Sequence, residues 1–380
     1  MVLGGGIALK GIDPLNKSRV GKLTKLMSDH NWGAMVLYGH SWRKEFFRCL
    51  LNVNFSGPHA AVVLLPSGEI SVVVSNPWDR ESVSAVLDGD VLLAADFEKG
   101  LRKRFSGSRG MVVAVAGMEL MEARFVEGIL EATSANPVSA SLAVEELRRV
   151  KTPDEIELMQ QACVLADRGY QYFTEVIEAG MKEYELVAEV ESFVKSNGAE
   201  DNFMLIASGG TEVVGMKPPT DRKFKKGDSV TTELSPQVGG YYAQICRTLV
   251  IGEPNAGQIE SFRIFSEAQN AGQDFLRPGV DIADVARVQN DVFRKYGYGD
   301  YTGSKYTRVR GHGLGLYLDE NPHVLEDVNY VVKEGMVLIV HPNTYLPLSG
   351  YMVFGDTLLV TAQGCVALNT TPRKLFEKEG

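Results

Sequence analysis

Short apolar runs alternate with stretches of helical spacing over residues 1–140, the rhythm of a layered α/β domain. Residues 33–38 form a continuous apolar run and predict a strand. Residues 60–65 and 70–74, joined by Pro66-Ser67-Gly68, predict a hairpin. Residues 111–115 predict a further strand, and the patterns over 17–30 and 118–132 predict helices. Asn136-Pro137 then breaks the chain, and 145–150 is a charged helical run. Thr152-Pro153-Asp154-Glu155 has the form of a capping box: a Thr N-cap, Pro at the first helical position and Glu three residues on. Behind it Ile156, Met159, Cys163, Leu165 and Ala166 keep helical spacing, so a long helix opens a second domain. The expected division is 1–140 and 141–380. Helices are predicted near 183–195 and 258–276, and the remainder from residue 202 is strand-rich with glycine turns. This predicts α+β packing, with helices over one face of a curved sheet.

Composition narrows the reading. With 44% hydrophobic and 23% charged residues, the 380-residue chain has ample material for a large core and is not intrinsically disordered. Its net charge of −9 argues against a nucleic-acid footprint. No apolar stretch approaches the length of a membrane span, and the N-terminus lacks the basic region of a secretory signal. Cys49, Cys163, Cys246 and Cys365 lie far apart with no C-x-x-C pair, a usage that fits reduced thiols in a cytoplasm. No phosphate-binding loop, H-E-x-x-H helix or G-x-S-x-G elbow is present, so ATP use, a zinc helix and a serine-hydrolase mechanism have no support in the sequence.

Candidate chemistry lies on the later strands. The 227–235 segment, the Val238-Gly239-Gly240 turn and the 241–249 segment predict a hairpin whose period-2 geometry puts Gln244, Cys246 and Thr248 on one face. Taken alone, that face is as well explained by a hydrogen-bonded hairpin, and Cys246 by a small buried hydrophobe as by a nucleophile. In Arg310-Gly311-His312-Gly313, the flanking glycines allow other backbone or a ligand to approach the imidazole. His341 ends the apolar strand 337–340. Asp319 and Glu320 suit either a cationic substrate group or the start of a loop before Pro322.

The order of these pieces resembles the creatinase, prolidase and aminopeptidase P family. The resemblance runs through Lys151-Thr152-Pro153-Asp154-Glu155-Ile156, Lys226-Gly227-Asp228, Gly240-Tyr241 with Arg247-Thr248, Gly311-His312-Gly313-Leu314-Gly315, Glu334-Gly335-Met336-Val337 and Asp356-Thr357-Leu358-Leu359-Val360-Thr361. It implies an N-terminal creatinase-like α/β domain followed by a pita-bread catalytic-type domain. Most relatives hold two metal ions with two aspartates, one histidine and two glutamates. By position these fall on Glu233, Gln244, His312, His341 and Gly355, so the resemblance implies a divergent member without the paired-metal site. The peptidases' second histidine falls on Asp319. Creatinase, which works without metal, is the nearest precedent. Its catalytic histidine falls on Met216, its acidic substrate contacts on Cys246 and His341, and its N-terminal Phe-x-Arg element on Phe55 and Gly57. The family places N-terminal residues of one subunit at the site of another, which implies a homodimer and nominates Phe55 and His59.

The expectation is therefore a hydrolase of a C–N bond in a small amide or amidine, free of metal and cofactor. Glu233 acts as base or nucleophile, with His312 and His341 as acid and electrophile. Gln244, Cys246, Met216, Asp319, Glu320, Phe55 and His59 are the expected substrate contacts. The alternatives are a mononuclear metal-dependent, Xaa-Pro peptidase-like enzyme using His312, His341 and Glu233, and a non-catalytic binding protein on the same fold.

Overall fold

The computed structural model describes residues 13–379, which fall into two compact units meeting at Arg148 and Arg149. The first unit runs α1 (Lys17–His30), β1 (Ala34–His40), α2 (Glu45–Arg48), β2 (His59–Leu64), β3 (Ile70–Val74), α3 (Pro77–Ser84), β4 (Asp90–Leu93), α4 (Phe97–Arg104), β5 (Val113–Ala116), α5 (Ala123–Thr133) and β6 (Val138–Ser139). α6 (Ser141–Arg149) follows. One six-stranded sheet has the order β4-β3-β2-β1-β5-β6. The hairpin expected over 60–74 is present as the antiparallel pair β2–β3, and β1 runs antiparallel to β2 and parallel to β5. β1 and β2 are buried almost throughout, which is why they read as unbroken apolar runs. Val36, Tyr38, Val63 and Val73 pack with Phe97, Leu101, Phe125 and Ile129 in one core.

The helix expected over 118–132 is interrupted. Met118–Leu120 is a short 3-10 turn, Met121 and Glu122 are extended, and α5 starts only at Ala123. Two consecutive extended residues cannot carry the i→i−4 hydrogen-bond ladder.

The second unit runs α7 (Pro153–Val176), α8 (Glu183–Ser196), β7 (Asp201–Gly209), β8 (Ser229–Val238), β9 (Tyr241–Tyr242), β10 (Ile245–Ile251), α9 (Ala256–Phe275) and α10 (Ile282–Lys295). Then come β11 (Gly311–Gly313), β12 (Glu320–His323), β13 (Val337–Val340), β14 (Thr344–Leu346), β15 (Gly350–Met352), β16 (Gly355–Thr361), β17 (Gly364–Ala367) and β18 (Phe376–Lys378). The capping box forms: the Thr152 backbone N–H donates to Glu155 Oε2 at 2.7 Å, and the Glu155 N–H donates to Thr152 Oγ1 at 3.4 Å. α7 buries Leu165, Ala166, Tyr170 and Phe173 against Leu234 of β8 and Ile245 and Leu249 of β10. α10 was not anticipated. Its pattern is nonetheless amphipathic: Ile282, Val285, Ala286 and Phe293 share one buried face, with the polar Gln289 and Asn290 set within it.

The main sheet has the path β12-β11-β13-β16-β10-β8-β7, with β17, β18 and β9 attached to β16, β10 and β8. β10 is buried along its whole length. Arg247 within it is fully enclosed and donates to Asp356 Oδ1 at 2.7 Å, and Arg373 donates to Asp356 Oδ2 at 2.7 Å. A buried charge is tolerated only when paired and hydrogen-bonded, and this set ties β10 to β16. Among the described residues, no helix is long and apolar enough to cross a membrane.

Candidate active site

Five adjacent strands, β11, β13, β16, β10 and β8, bring the candidate residues together. Glu233 of β8 lies directly opposite Cys246 of β10, and Cys246 lies opposite Gly355 of β16. Directly opposed residues of antiparallel strands share a face. Gln244 precedes β10. Its backbone exchanges hydrogen bonds with Thr357 Oγ1, at 3.1 Å through its N–H and 2.8 Å through its carbonyl, and its side-chain Nε2 donates to Cys246 Sγ at 3.5 Å. His312 of β11 sits opposite Ile339 of β13, and His341 follows β13 by one residue. The two imidazoles meet edge to face with ring centroids 5.3 Å apart.

The glycines around His312 answer the question left by the sequence: it is backbone that approaches there. Gly311 has φ +144°, and a Cβ on it would lie 2.1 Å from the Ile339 carbonyl oxygen. A Cβ on Gly313 would lie 2.8 Å from the Asn321 carbonyl oxygen. β11 is thus wedged between β13 and β12, which fixes the His312 backbone.

The ionisable groups hold different protonation states. Burial pushes the Glu233 carboxyl up to about 7, and the nearby Asp319 charge adds to the rise while Asn343 opposes it. Burial pushes His341 down to about 3, helped by His312. Burial lowers His312 too, with Asp319 pulling the other way. Asp319 accepts from His323 Nε2 at 2.9 Å and lies 3.6 Å from His312 Nδ1. Burial acts to raise Asp319, yet these imidazoles hold it below the usual carboxylate range. His323 is raised in return by its bond to Asp319.

Asn343 organises the rear of the cluster. In the orientation that pairs both its nitrogen and its oxygen, its amide nitrogen donates to the carbonyls of Val309 (2.9 Å) and His341 (3.3 Å). Its amide oxygen accepts from Tyr351 OH (3.0 Å) and His341 Nδ1 (3.3 Å). His341 Nε2 is buried and has no hydrogen-bond partner. Among the described residues, no group of three or more His, Cys, Asp or Glu side chains is arranged to hold a metal ion.

Several expected contacts are placed otherwise. Cys246 is fully buried, and burial with the Glu233 charge drives its thiol well above the ordinary range, which opposes its ionisation. Glu320 is ion-paired with the buried Lys151 at 3.2 Å and accepts from the Tyr317 N–H. Met216 lies in the segment after β7, next to the Lys217–Ile206 bridge, with no described contact to the cluster. Phe55 is a core residue, buried in an edge contact with Phe47 at 5.0 Å, and offers no surface to a substrate. His59 is held between Tyr38 OH at 2.7 Å and Glu122 at 3.2 Å. Sequence reasoning missed His323, Asn343 and Tyr351. His323 faces His312 across the β11–β12 register, a pairing that only the fold reveals.

Solved structures share this architecture. The prolidase from Pyrococcus horikoshii OT3 matches with a TM-score of 0.82 at 25% identity, covering 94% of this chain and 100% of that one. The X-Pro aminopeptidase from Thermotoga maritima MSB8 matches with a TM-score of 0.83 at 23% identity, covering 94% and 99%. The fold is thus the pita-bread fold of the prolidases and aminopeptidases P. Residues 157–362 match metallopeptidase family M24, and the chain belongs to that family. The Xaa-Pro dipeptidase of Pyrococcus furiosus is 35% identical over 235 residues, which are 61% of this chain and 66% of that protein. The probable dipeptidase PepE of Mycobacterium tuberculosis is 28% identical over 88% of this chain and 87% of that protein.

Proposed function

We propose that this protein hydrolyses the C–N bond of a small amide of dipeptide size, and that Glu233, His312 and His341 move the protons. Membership of a peptidase family and the dipeptidase names of its relatives support amide hydrolysis. They favour a peptide-like substrate over a creatine-like amidine. The observation that carries the proton roles is the burial of Glu233, which pushes its carboxyl up to about 7, with Asp319 as a neighbour it shares with His312 and Asn343 as one it shares with His341. A carboxyl tuned to neutrality removes a proton from water and returns it to a leaving nitrogen at the same pH.

The donor set speaks against a pair of divalent ions. Glu233 is the one acid among the five positions matched to the family's ligands, and two adjacent dications need several carboxylates to offset their repulsion. Gln244 is neutral and already directed at Cys246. At Gly355 a Cβ alone would lie 2.5 Å from the Val340 carbonyl oxygen and 2.6 Å from His341 Cβ, so no side chain fits there.

A single-metal enzyme is the second reading. The unpartnered Nε2 of His341, beside a second imidazole, is the observation in its favour, together with the family's name. Turnover of a panel of dipeptides and small amides, with and without a strong chelator, separates the two. Activity that survives chelation and is abolished by His312→Ala in a folded protein supports the proposal. Activity that appears only on adding metal selects the second reading, and a complete lack of turnover overturns both.

A further inference from the structure

Arg310 is fully enclosed and, among the described residues, makes no ion pair. Its Nε donates to Asn290 Oδ1 at 2.6 Å, and Asn290 in turn donates to Glu326 Oε1 at 2.8 Å. Its Nη1 donates to three backbone carbonyls, those of Thr307 (2.7 Å), Asn343 (3.0 Å) and Val309 (3.2 Å). Nη2 has no partner. A buried donor left unpaired costs about 1–3 kcal/mol, which an apolar side chain of similar length would avoid. Stability alone is thus a poor reason for an arginine here, and its value lies in what Nη1 gathers.

The three carbonyls belong to two segments, 307–309 before β11 and 341–343 after β13, and the Asn343 side chain lies where they meet. The Val309 carbonyl that Arg310 holds also takes the hydrogen of the Asn343 amide nitrogen, at 2.9 Å. A carbonyl oxygen only accepts, so it decides which end of the Asn343 amide faces it. The amide oxygen is then turned to His341 Nδ1 at 3.3 Å and to the Tyr351 hydroxyl at 3.0 Å. That oxygen accepts as well, so the hydrogen of the neutral imidazole sits on Nδ1 and Nε2 is left as a bare lone pair. With the amide turned over, its nitrogen would face Nδ1 and move the ring hydrogen to Nε2.

We infer that Arg310 is a positioning residue: by clamping the Thr307, Val309 and Asn343 carbonyls together it sets the orientation of the Asn343 amide, and through that amide it keeps the His341 Nε2 lone pair open to the reacting molecule. The inference rests on the proposed function for the reaction that uses this lone pair. Arg310 itself touches no substrate, since Asn290 and the Phe293 ring, 5.6 Å from its Cζ, close over it. Its positive charge acts in the same direction, because a cation near His341 disfavours a second proton on that ring.

The test is ¹⁵N-histidine NMR of the whole folded protein, in which protonated and bare ring nitrogens resonate far apart, together with steady-state kinetics on the amide that is turned over best. The wild-type protein is expected to show a protonated Nδ1 and a bare Nε2 at His341. Arg310→Lys keeps the charge but cannot span three carbonyls. It is expected to give a mixture of both tautomers, with kcat lowered at least about tenfold and KM within about twofold. Asn343→Ala is expected to do the same, and the double variant to fall no further than the worse single one, because both act on one contact. Asn290→Asp answers the buried charge with a carboxylate of the same shape, leaves Nη1 in place and is expected to keep the wild-type tautomer. A bare Nδ1 in the wild type, a tautomer indifferent to Asn343→Ala, a tautomer lost in Asn290→Asp, or additive losses in the double variant overturns the inference. The Asn343→Ala comparison decides it even where Arg310→Lys does not fold. Tautomer shifts without turnover of any amide keep the positioning of His341 and remove the proposed function. Turnover with tautomers that no substitution moves does the reverse, so the two failures are distinct.

Discussion

Replacing His341 with glutamine is expected to change how the fold responds to acid. His341 is 3% exposed, and burial lowers its imidazole from 6.5 to about 3. The folded chain therefore refuses a proton that the unfolded chain accepts below 6.5. The sign follows from linkage: stability from this residue is intact above the unfolded value and falls as pH drops toward the folded one. At a pH about two units below the unfolded value the loss amounts to about 3 kcal/mol, at about 1.4 kcal/mol per unit. Glutamine fills a similar volume and does not titrate. Urea unfolding of both proteins, once near neutrality and once in mild acid, measures the stability difference at each pH. Whatever the substitution costs near neutrality, the difference is expected to swing toward the variant by about 3 kcal/mol in acid. A difference that stays constant between the two conditions refutes the buried neutral imidazole, and the bare Nε2 lone pair with it.

Other consequences are open to direct measurement. Asp356→Asn leaves the fully enclosed Arg247 without its carboxylate and is expected to destabilise the fold by about 3–5 kcal/mol in urea unfolding; a change under about 1 kcal/mol contradicts the pairing. Gly355→Ala forces a methyl against the Val340 carbonyl and His341 and is expected to lower stability by about 1–3 kcal/mol, with thermal unfolding unchanged if the strands are more loosely packed than described. Asp319→Asn removes the partner that raises His323, so the NMR titration of that imidazole is expected to move to lower pH. The stability His323 supplies is present below its unfolded value and is lost as pH rises through the folded one, and the variant is expected to lack that component. An unshifted titration contradicts the Asp319–His323 bond.

What was legible in the sequence followed the range of the forces involved. The capping box at Thr152–Glu155 is a contact over three residues, and it formed as read. The hairpin through Gly239-Gly240 was legible because period-2 alternation and a glycine turn are both local, and it set Glu233 opposite Cys246. The family resemblance, carried by dispersed motifs such as Gly311-His312-Gly313, gave the fold class and the family. Long-range register was not legible. His323 meets His312 only through the β11–β12 pairing, and Asn343 and Tyr351 meet His341 only once β13, β15 and the connecting segments are packed. Residue type alone also misjudged burial. Phe55 and Glu320 looked available for binding, yet one lies in a core and the other is held by Lys151. α10 was legible from its helical spacing of Ile282, Val285, Ala286 and Phe293 and was missed; what only the fold reveals is the role of the polar residues in its buried face, where Asn290 accepts from the buried Arg310 at 2.6 Å and Gln289 packs beside Gly272.

The transition-metal content of protein purified from metal-supplemented culture, measured by mass spectrometry on hydrolytically active samples, tests the account most directly. Active protein without stoichiometric metal is the predicted result, because one acid, one amide, two imidazoles and a glycine leave proton transfer as the available chemistry. Two ions per active chain, or one ion lost together with activity in His341→Gln, contradict it.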